Sequence, residues 1–307
     1  MSFLTPLRYP GGKGRMGPWI AELLRHNQIS GGCYVEPYAG GCGAAIFLLT
    51  HGYVDRIIIN DADPVIYSFW KAVTEQSDEL IAKIKSTRVS MTAWRLQREV
   101  LANAAEHSQL DVAFAAFFLN RTNRSGILAG GVIGGKNQSG AWKLGARYNK
   151  EDLTERIRAI GKLSKRIKVY GLDALALLDE IEPTLPKKTL IYLDPPYFQK
   201  GAQLYRNFYE PKDHAAIAER VSNLMVPVIV TYDNAKEIGD LYSAFGQVEF
   251  NLKYSTHLAR PEATELLIYK NIKLHSVPEL TRAKTLGPAR PNKAANIIPQ
   301  GVDELTI

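Results

Sequence analysis

Four consecutive residues with chemical potential, Asp194, Pro195, Pro196 and Tyr197, directly follow an apolar run at 189–193. Proline has a fixed φ angle and no backbone N–H, so two prolines stiffen the turn and remove donors from it. The Asp194 carboxylate and a backbone carbonyl are then left as acceptors for an amine, and the Tyr197 ring offers a flat face to a planar base. Such acceptors stabilise the positive charge that develops when an aromatic amine attacks an electrophilic methyl group. The segment therefore predicts N-methyl transfer.

A glycine-rich loop, PYAGGCG at 37–43, lies between a predicted strand and a predicted helix. Glycine at position 40 lets a ligand come close to the backbone at a helix N-terminus. Asp61 ends the next predicted strand, where a carboxylate suits the two hydroxyls of a ribose. The loop lacks strict GxGxxG spacing, and Glu36 complements a cationic ligand better than a pyrophosphate. These features favour S-adenosylmethionine over NAD as the bound adenosine compound.

Short apolar runs alternate with helical patterns through most of the chain. Strands are predicted at 33–36, 56–60, 168–171, 189–193 and 226–231, and helices at 18–28, 44–51, 64–74, 175–181 and 212–224. This alternation predicts βαβ units in a mostly parallel sheet, an α/β fold. Two later runs, 247–252 and 265–271, predict an antiparallel pair at its edge.

The alternation stops between residues 75 and 165. Helical patterns at 78–87, 92–106 and 111–120 precede a glycine-rich stretch at 126–145. We therefore expect a catalytic domain made of residues 1–74 and 166–275, interrupted by an inserted domain at 75–165. Residues 276–307 contain four prolines and no clear periodicity, which predicts a flexible tail.

The positive charge of the chain is concentrated in the expected insertion. The net charge is +7, and residues 121–168 contain twelve Lys and Arg against three acidic residues. Uneven basicity of this kind is typical of surfaces that bind polyanions, because neutralising phosphates releases counterions. It favours a nucleic acid as the partner.

Composition excludes several other classes of protein. Cys33 and Cys42 form no CxxC pair, so neither a metal site nor a disulfide is expected. The chain has no apolar run of 18 residues and does not begin like a signal peptide. We expect a cytoplasmic protein without metal or membrane; the oligomeric state stays open.

Five motifs occur together in one order: YPGGK at 9–13, VEPYAGG at 35–41, NDAD at 60–63, FLNR at 118–121 and DPPY at 194–197. Jointly they resemble the Dam-type (class α) N6-adenine-specific DNA methyltransferase family. The resemblance extends over roughly residues 7–270 and implies a Rossmann-like S-adenosylmethionine-dependent methyltransferase sheet. It further implies a mostly helical target-recognition domain in the insertion, bearing a DNA-contacting β-hairpin at 126–148.

The resemblance also implies roles for single residues. Tyr9 and Lys13 would contact the methyl donor from an N-terminal segment folded over its pocket, and Asp61 would hold the ribose. Asp173 would accept from the adenine amine of the donor. Asp194 would serve both the donor pocket and the target amine.

Polar residues in the insertion are the predicted contacts with double-stranded DNA. Their types fit phosphate contacts and the reading of adenine or guanine in the groove. They are Asn120, Arg121, Asn123, Arg124, Lys136, Asn137, Gln138, Lys143 and Arg147. After Arg121 the chain departs from the aromatic-rich residues of GATC-methylating members, so recognition of GATC is not expected.

The predicted reaction requires the target adenine to leave the base stack, because its amine is inaccessible within a duplex. Residues 198–209 are the segment expected to close over the extruded base. Two other functions remain open: methylation of RNA or of a protein glutamine, and DNA binding by a regulator without turnover. An NAD-dependent oxidoreductase fits the motifs least.

Overall fold

The computed structural model describes residues 5–9, 13–199, 209–253 and 262–279. Seven strands form one sheet: β1 (Cys33–Glu36), β2 (Arg56–Asn60), β3 (Ile167–Tyr170), β4 (Thr189–Leu193), β5 (Val228–Asp233), β6 (Gly246–Lys253) and β7 (Glu262–Lys270). Their spatial order is β3-β2-β1-β4-β5-β7-β6. Strands β1 to β5 are parallel, and β7 is antiparallel to both β5 and β6. The predicted α/β, Rossmann-like fold with an antiparallel pair at one edge is confirmed.

The central strands are buried on both faces. Every residue of β1 and of β4 is buried, which is typical of parallel strands covered by helices. Successive side chains of a strand point to opposite faces. Accordingly, Tyr34 belongs to one hydrophobic cluster, and its neighbours Cys33 and Val35 belong to the other.

Ten α-helices surround the sheet within the described ranges. They are α1 (Gly17–His26), α2 (Gly43–Thr50), α3 (Pro64–Glu75), α4 (Ser77–Ser86), α5 (Met91–Ala102), α6 (Gln109–Thr122), α7 (Lys150–Gly161), α8 (Ala174–Ile181), α9 (Pro211–Asn223) and α10 (Lys236–Leu241). Short 3-10 helices are Lys13–Met16, Ala104–Glu106, Arg124–Gly126, Leu144–Arg147, Ser164–Arg166 and Glu182–Thr184. Helices α1 to α3 pack on one face of the sheet, and α8 to α10 contribute to the core on the other.

Side-chain caps mark where several helices begin. Asp63, Ser90, Ser108, Asn149 and Asp173 each accept a hydrogen bond from a backbone N–H in the first turn of the following helix. Such caps satisfy donors that have no partner inside the helix. These polar residues therefore fix the helix starts that the sequence pattern placed to within a few residues.

Helices α4 to α7 form the insertion between α3 and β3. Helix α6 is almost wholly buried, and its aromatic side chains belong to the same hydrophobic cluster as those of α1 to α3. Phe117 stacks on Phe69 of α3 with ring centroids 6.2 Å apart. Because insertion and sheet share this cluster, the domain boundaries at 75 and 165 stay a prediction.

The prediction of a β-hairpin at 126–148 is wrong, because this segment does not form two paired strands. This segment contains turns, a 3-10 helix at Leu144–Arg147 and a single isolated β-bridge between Asn123 and Val132. Gly126, Gly134, Gly135 and Gln138 all have φ between 52° and 86°. A hairpin needs two runs of paired extended residues, and residues 126–148 contain no strand, so the segment is an irregular loop.

Both cysteines are buried and free. Among the described residues, no helix is long and apolar enough to cross a membrane. The same residues contain no group of three or more His, Cys, Asp and Glu side chains arranged for a metal ion. Residues 200–208 of the expected closing segment and residues 280–307 of the expected tail lie outside the described residues.

Candidate active site

The two motif loops lie side by side where the strand order changes direction. Strand β1 pairs with β2 on one side and with β4 on the other, so the chain connections diverge between β1 and β4. In open parallel sheets, ligands bind outside the carboxyl ends of the strands at this point. The glycine loop follows β1 and the Asp194 motif follows β4, so both flank the same crevice.

Asp194 is fixed by groups from two other elements. Its Oδ1 accepts a hydrogen bond of 2.7 Å from Oγ1 of Thr231 in β5 and lies 3.3 Å from Nζ of Lys13. The Tyr192 hydroxyl lies 2.9 Å from the same Thr231 oxygen. About a quarter of the Asp194 side chain remains exposed, so the carboxylate is held in place yet accessible.

Glu265 on β7 joins Lys13 to Tyr197. It is 1% exposed, its carboxylate accepts bonds of 2.8 and 3.0 Å from Nζ of Lys13, and the Tyr197 hydroxyl donates to it at 2.5 Å. Glu265 is a functional residue that was not predicted from the sequence. The available signal was a carboxylate that shares one face of its strand with Leu267 and Tyr269.

The backbone after Tyr197 is also anchored. Asp233 at the end of β5 accepts bonds from the backbone N–H groups of Phe198 and Gln199, at 2.8 and 2.9 Å. Pro195 and Pro196 are buried in the turn before them. The corner is therefore rigid on both sides of Tyr197.

Burial and neighbouring charges shift the proton affinities in this cluster. Burial by itself lowers the pKa of Lys13, but Asp194 and Glu265 outweigh that effect and hold it well above its usual value. Burial raises the pKa of Asp194, and the Lys13 ammonium opposes the rise. Strongly perturbed groups in a cleft are typical of functional sites.

Tyr9 lies on the glycine loop. Gly40 has φ of 45°, and a Cβ atom at this position would come within 2.9 Å of the Tyr9 ring. The carbonyl of Gly40 accepts a bond of 2.9 Å from the Trp70 indole N–H. The N-terminal segment is thus folded back over this loop, and only a residue without a side chain fits beneath the ring.

Asp61 and Asn60 hold the loops that follow β1, β2 and β3. The two Asp61 oxygens accept bonds of 2.9 Å from the backbone N–H groups of Gly40 and Asp63. Burial raises the pKa of Asp61 to about 6, with those two bonds opposing the rise. Asn60 is buried and donates to the carbonyls of Pro37 and Leu172, and its positioning role was also missed.

The predicted role of Glu36 as a negative charge facing a ligand does not fit its environment. Glu36 is 5% exposed, and its Oε1 accepts from the Tyr34 hydroxyl and from the backbone N–H of Ala45. Burial raises its pKa to about 8, so the side chain is mostly neutral at pH 7. Glu36 instead ties β1 to the start of α2.

Asp173 lies after the end of β3, on the ligand side of the sheet. It is exposed, and its carboxylate caps α8 by accepting from the backbone N–H of Leu175 at 2.9 Å. Its contact with the adenine of a donor stays a prediction. The groups around this crevice nevertheless suit the adenosine part of a ligand: a glycine cradle, a carboxylate at the end of β2 and a second carboxylate beyond β3.

Two predicted DNA contacts are wrong because they are buried. Asn120 is 1% exposed and clamps the N-terminal segment, accepting from the Arg8 backbone N–H and donating to the Arg8 carbonyl, both at 2.7 Å. Asn123 is fully buried, accepts from the indole N–H of Trp94 and donates to the carbonyl of Ile127. Their amides replace backbone pairing in an irregular segment.

Gln138 is a third correction. Its amide nitrogen donates to the carbonyls of Ile133 and Gly135, and its amide oxygen accepts from the backbone N–H of Leu144 at 2.8 Å. All three hydrogen bonds join the Gln138 amide to backbone groups of its own loop, so this amide is not available to a base edge.

The predicted cationic contacts remain on the surface. Exposed members of the set are Arg124, Lys136, Asn137, Lys143 and Arg147. Arg121 is less exposed and donates from Nε to the Arg147 carbonyl at 2.9 Å. Burial, together with the nearby charges of Arg8 and Arg156, lowers the pKa of Arg121 to about 10. Positive charges that repel one another in this way favour an anionic partner.

Comparison with known proteins supplies the family. The family model of the D12 class N6 adenine-specific DNA methyltransferases matches residues 9–256. The type II methyltransferase M.MjaIII of Methanocaldococcus jannaschii is 25% identical over 205 residues, which are 62% of this chain and 68% of that protein. A Pyrococcus horikoshii structure described as a candidate RNA methyltransferase has a TM-score of 0.40 at 10% identity, covering 86% of this chain and 84% of that one. A Streptococcus agalactiae structure placed in the NADB-Rossmann superfamily has a TM-score of 0.32 at 10% identity, covering 83% and 69%. Because the matched residues include both the glycine loop and the Asp194 corner, this chain belongs to the D12 class N6 adenine-specific DNA methyltransferase family.

Proposed function

We propose that this chain transfers a methyl group from S-adenosylmethionine to the N6 amine of an adenine in a specific sequence of double-stranded DNA. The observation that carries the proposal is the adjacency of the two motif loops at the β1–β4 crevice, with Lys13 reaching Asp194 from the N-terminal segment. Family membership supports the reaction type.

The acceptor groups act on the target amine. Asp194 and the carbonyl of Pro195 accept hydrogen bonds from its two N–H groups, which directs the nitrogen lone pair toward the methyl group. As the C–N bond forms, the S–CH3 bond breaks with its electron pair left on sulfur, and the methylated amine then loses one proton to solvent. Pro196 keeps the turn stiff. The Tyr197 hydroxyl is already bound by Glu265, so its ring is held at a fixed place for stacking on the base.

The donor site is built from the glycine loop and its neighbours. S-adenosylmethionine supplies an electrophilic methyl group on a sulfonium. Tyr9 and Gly40 cover and line its site, Asp61 holds the ribose hydroxyls, and Asp173 accepts from the adenine amine. Lys13 links this site to Asp194, since its ammonium already contacts that carboxylate.

The insertion at 75–165 acts as the target-recognition domain in this proposal. The exposed cations neutralise DNA phosphates, and the adenine is flipped out of the duplex at a cost of a few kcal/mol. Flipping is required because the target amine is inaccessible within the base stack of a duplex.

The test is transfer of tritiated methyl groups from labelled donor to duplex DNA, followed by nucleoside analysis for N6-methyladenine. Asp194→Ala should lower turnover by about 10²–10³-fold, because it removes a hydrogen-bond acceptor that stabilises the positive charge developing on the target amine. Asp55→Ala, an exposed aspartate at the opposite end of the sheet, is the matched control and should be unchanged. Full activity of Asp194→Ala, or label found only in RNA or protein, would contradict the proposal.

A further inference from the structure

A groove of about 490 Å³ lies on the insertion, between α5 and the loop after α6. It includes two residues that the sequence analysis did not select, Arg95 and Arg98 of α5, together with Arg124 and Lys136 from the loop. None of the described residues that line it is acidic. The groove therefore concentrates four cationic side chains around one space.

These four cations make no ion pair with any described residue. Elsewhere on the surface, by contrast, Arg25, Arg158 and Arg220 each pair with a nearby carboxylate. Charges that are left without a partner around a concave space raise the local potential. The arrangement favours an anionic ligand.

The groove is also preorganised. The Arg98 guanidinium lies over the Trp94 ring, 5.3 Å from its centroid, and its Nη1 is 3.5 Å from the Gly130 carbonyl. Trp94 is fixed in turn by the bond from its indole N–H to Asn123. Arg124 lies against Gly131, where a Cβ atom would come within 2.9 Å of its Nη2. Arg98 and Arg124 are thus oriented by the protein before a ligand arrives.

From these observations we infer that the groove binds the phosphodiester backbone of the DNA, with Arg95 and Arg98 as phosphate contacts. Guanidinium groups match phosphate oxygens in charge and in paired hydrogen-bond geometry. The glycine-lined floor at Gly130 and Gly131 lets a backbone approach closely. This inference rests on the proposed function in one respect, that duplex DNA is the partner.

The experiment measures binding of a short fluorescent DNA duplex to the full chain by anisotropy, with KCl from about 50 to about 200 mM. Arg95→Gln/Arg98→Gln should reduce the slope of log affinity against log salt by about 2 and weaken binding about 10–100-fold near 0.1 M salt. Arg56→Gln/Lys187→Gln removes two exposed positive charges near the amino ends of β2 and β4, and should leave both the salt slope and the affinity unchanged. Arg95→Lys/Arg98→Lys keeps both charges and should retain most of the slope.

Binding by the glutamine variant equal to that of the control would overturn the inference, provided that both unfold at the wild-type temperature. Tighter binding of duplex RNA than of DNA through the same two arginines would overturn it as well. The assay needs no methyl transfer, so its result is separate from that of the proposed function. If the wild-type protein binds DNA through this groove but does not methylate adenine, the proposed function is wrong and the inference that the groove binds DNA is retained.

Discussion

The corner after β4 and the loop after α6 both contain buried polar side chains, but those side chains have different partners. At the corner, the Lys13 ammonium binds the carboxylates of both Asp194 and Glu265. In the loop, Asn120 and Asn123 are neutral amides that bind mostly backbone groups. The first arrangement is costly to bury, whereas the second replaces hydrogen bonds that a regular strand or helix would supply.

This difference separates residues that build a site from residues that build the chain around it. A buried ion cluster adds little to stability compared with apolar packing, so its presence at the ligand crevice is better explained by chemistry. An amide that clamps an irregular segment is explained by that segment alone. Substitutions in the two groups should therefore differ in whether they change stability or DNA binding.

Replacing Lys13 with methionine should have the largest effect on stability. It leaves the Glu265 carboxylate buried without its cation and removes the cation from the partly exposed Asp194, and loss of one partner of a buried pair costs about 3–5 kcal/mol. Urea unfolding of Lys13→Met measures the loss. The double variant Lys13→Met/Glu265→Leu should recover part of it, because the uncompensated charge is removed as well. A double variant that is less stable than the single one would show that the two side chains do not act as a pair.

Asn120→Ala should lower the free energy of unfolding by about 2–3 kcal/mol, since it leaves buried backbone groups of Arg8 and Gly126 without partners. If Asn120 is a scaffold, the folded fraction should keep the wild-type salt dependence of DNA binding. Arg124→Gln is the contrasting variant: it should leave the unfolding midpoint unchanged and reduce that salt dependence. Loss of DNA binding without loss of stability in Asn120→Ala would restore the original prediction of a DNA contact.

The strands and the Asp194 corner could be predicted from the sequence because the signals for both are local. Apolar runs bounded by turn residues place each strand, and Asp194 with its prolines is contiguous in the chain. Glu265 could not be found in this way, because its partners Lys13 and Tyr197 are 252 and 68 residues away and meet it only through the register of β7. The same limit explains Asn120, Asn123 and Gln138: their types fit base readout, and only tertiary packing decides that they are buried or internally bonded.

The pKa of Asp61 gives a pH test of the donor site. A ribose hydroxyl donates to a carboxylate, and burial raises the pKa of this group to about 6. Above pH 6 the Asp61 side chain of the free protein is already a carboxylate and can accept from the ribose. Below pH 6 it is protonated, and the proton must be released before the ligand binds. Donor affinity, measured by calorimetry, should therefore fall by up to about tenfold per pH unit below 6. Asp61→Asn should bind weakly with no such dependence; a wild-type affinity that stays flat down to pH 4 would remove Asp61 from the site.

Arg147→Gln should have the smallest effect of the four. Arg147 is exposed, and its guanidinium lies 5.8 Å from the centroid of the Trp142 ring, so its removal should leave the unfolding midpoint unchanged. If it contacts one phosphate, the slope of log affinity against log salt should fall by about 1 in the anisotropy assay. Lys187→Gln, an exposed lysine outside the basic segment at 121–168, is the matched control. A slope equal to that of the control would mean that exposure and positive charge do not suffice for a DNA contact in this loop. The division between scaffold amides and DNA-binding cations would then hold only on the groove side of the insertion.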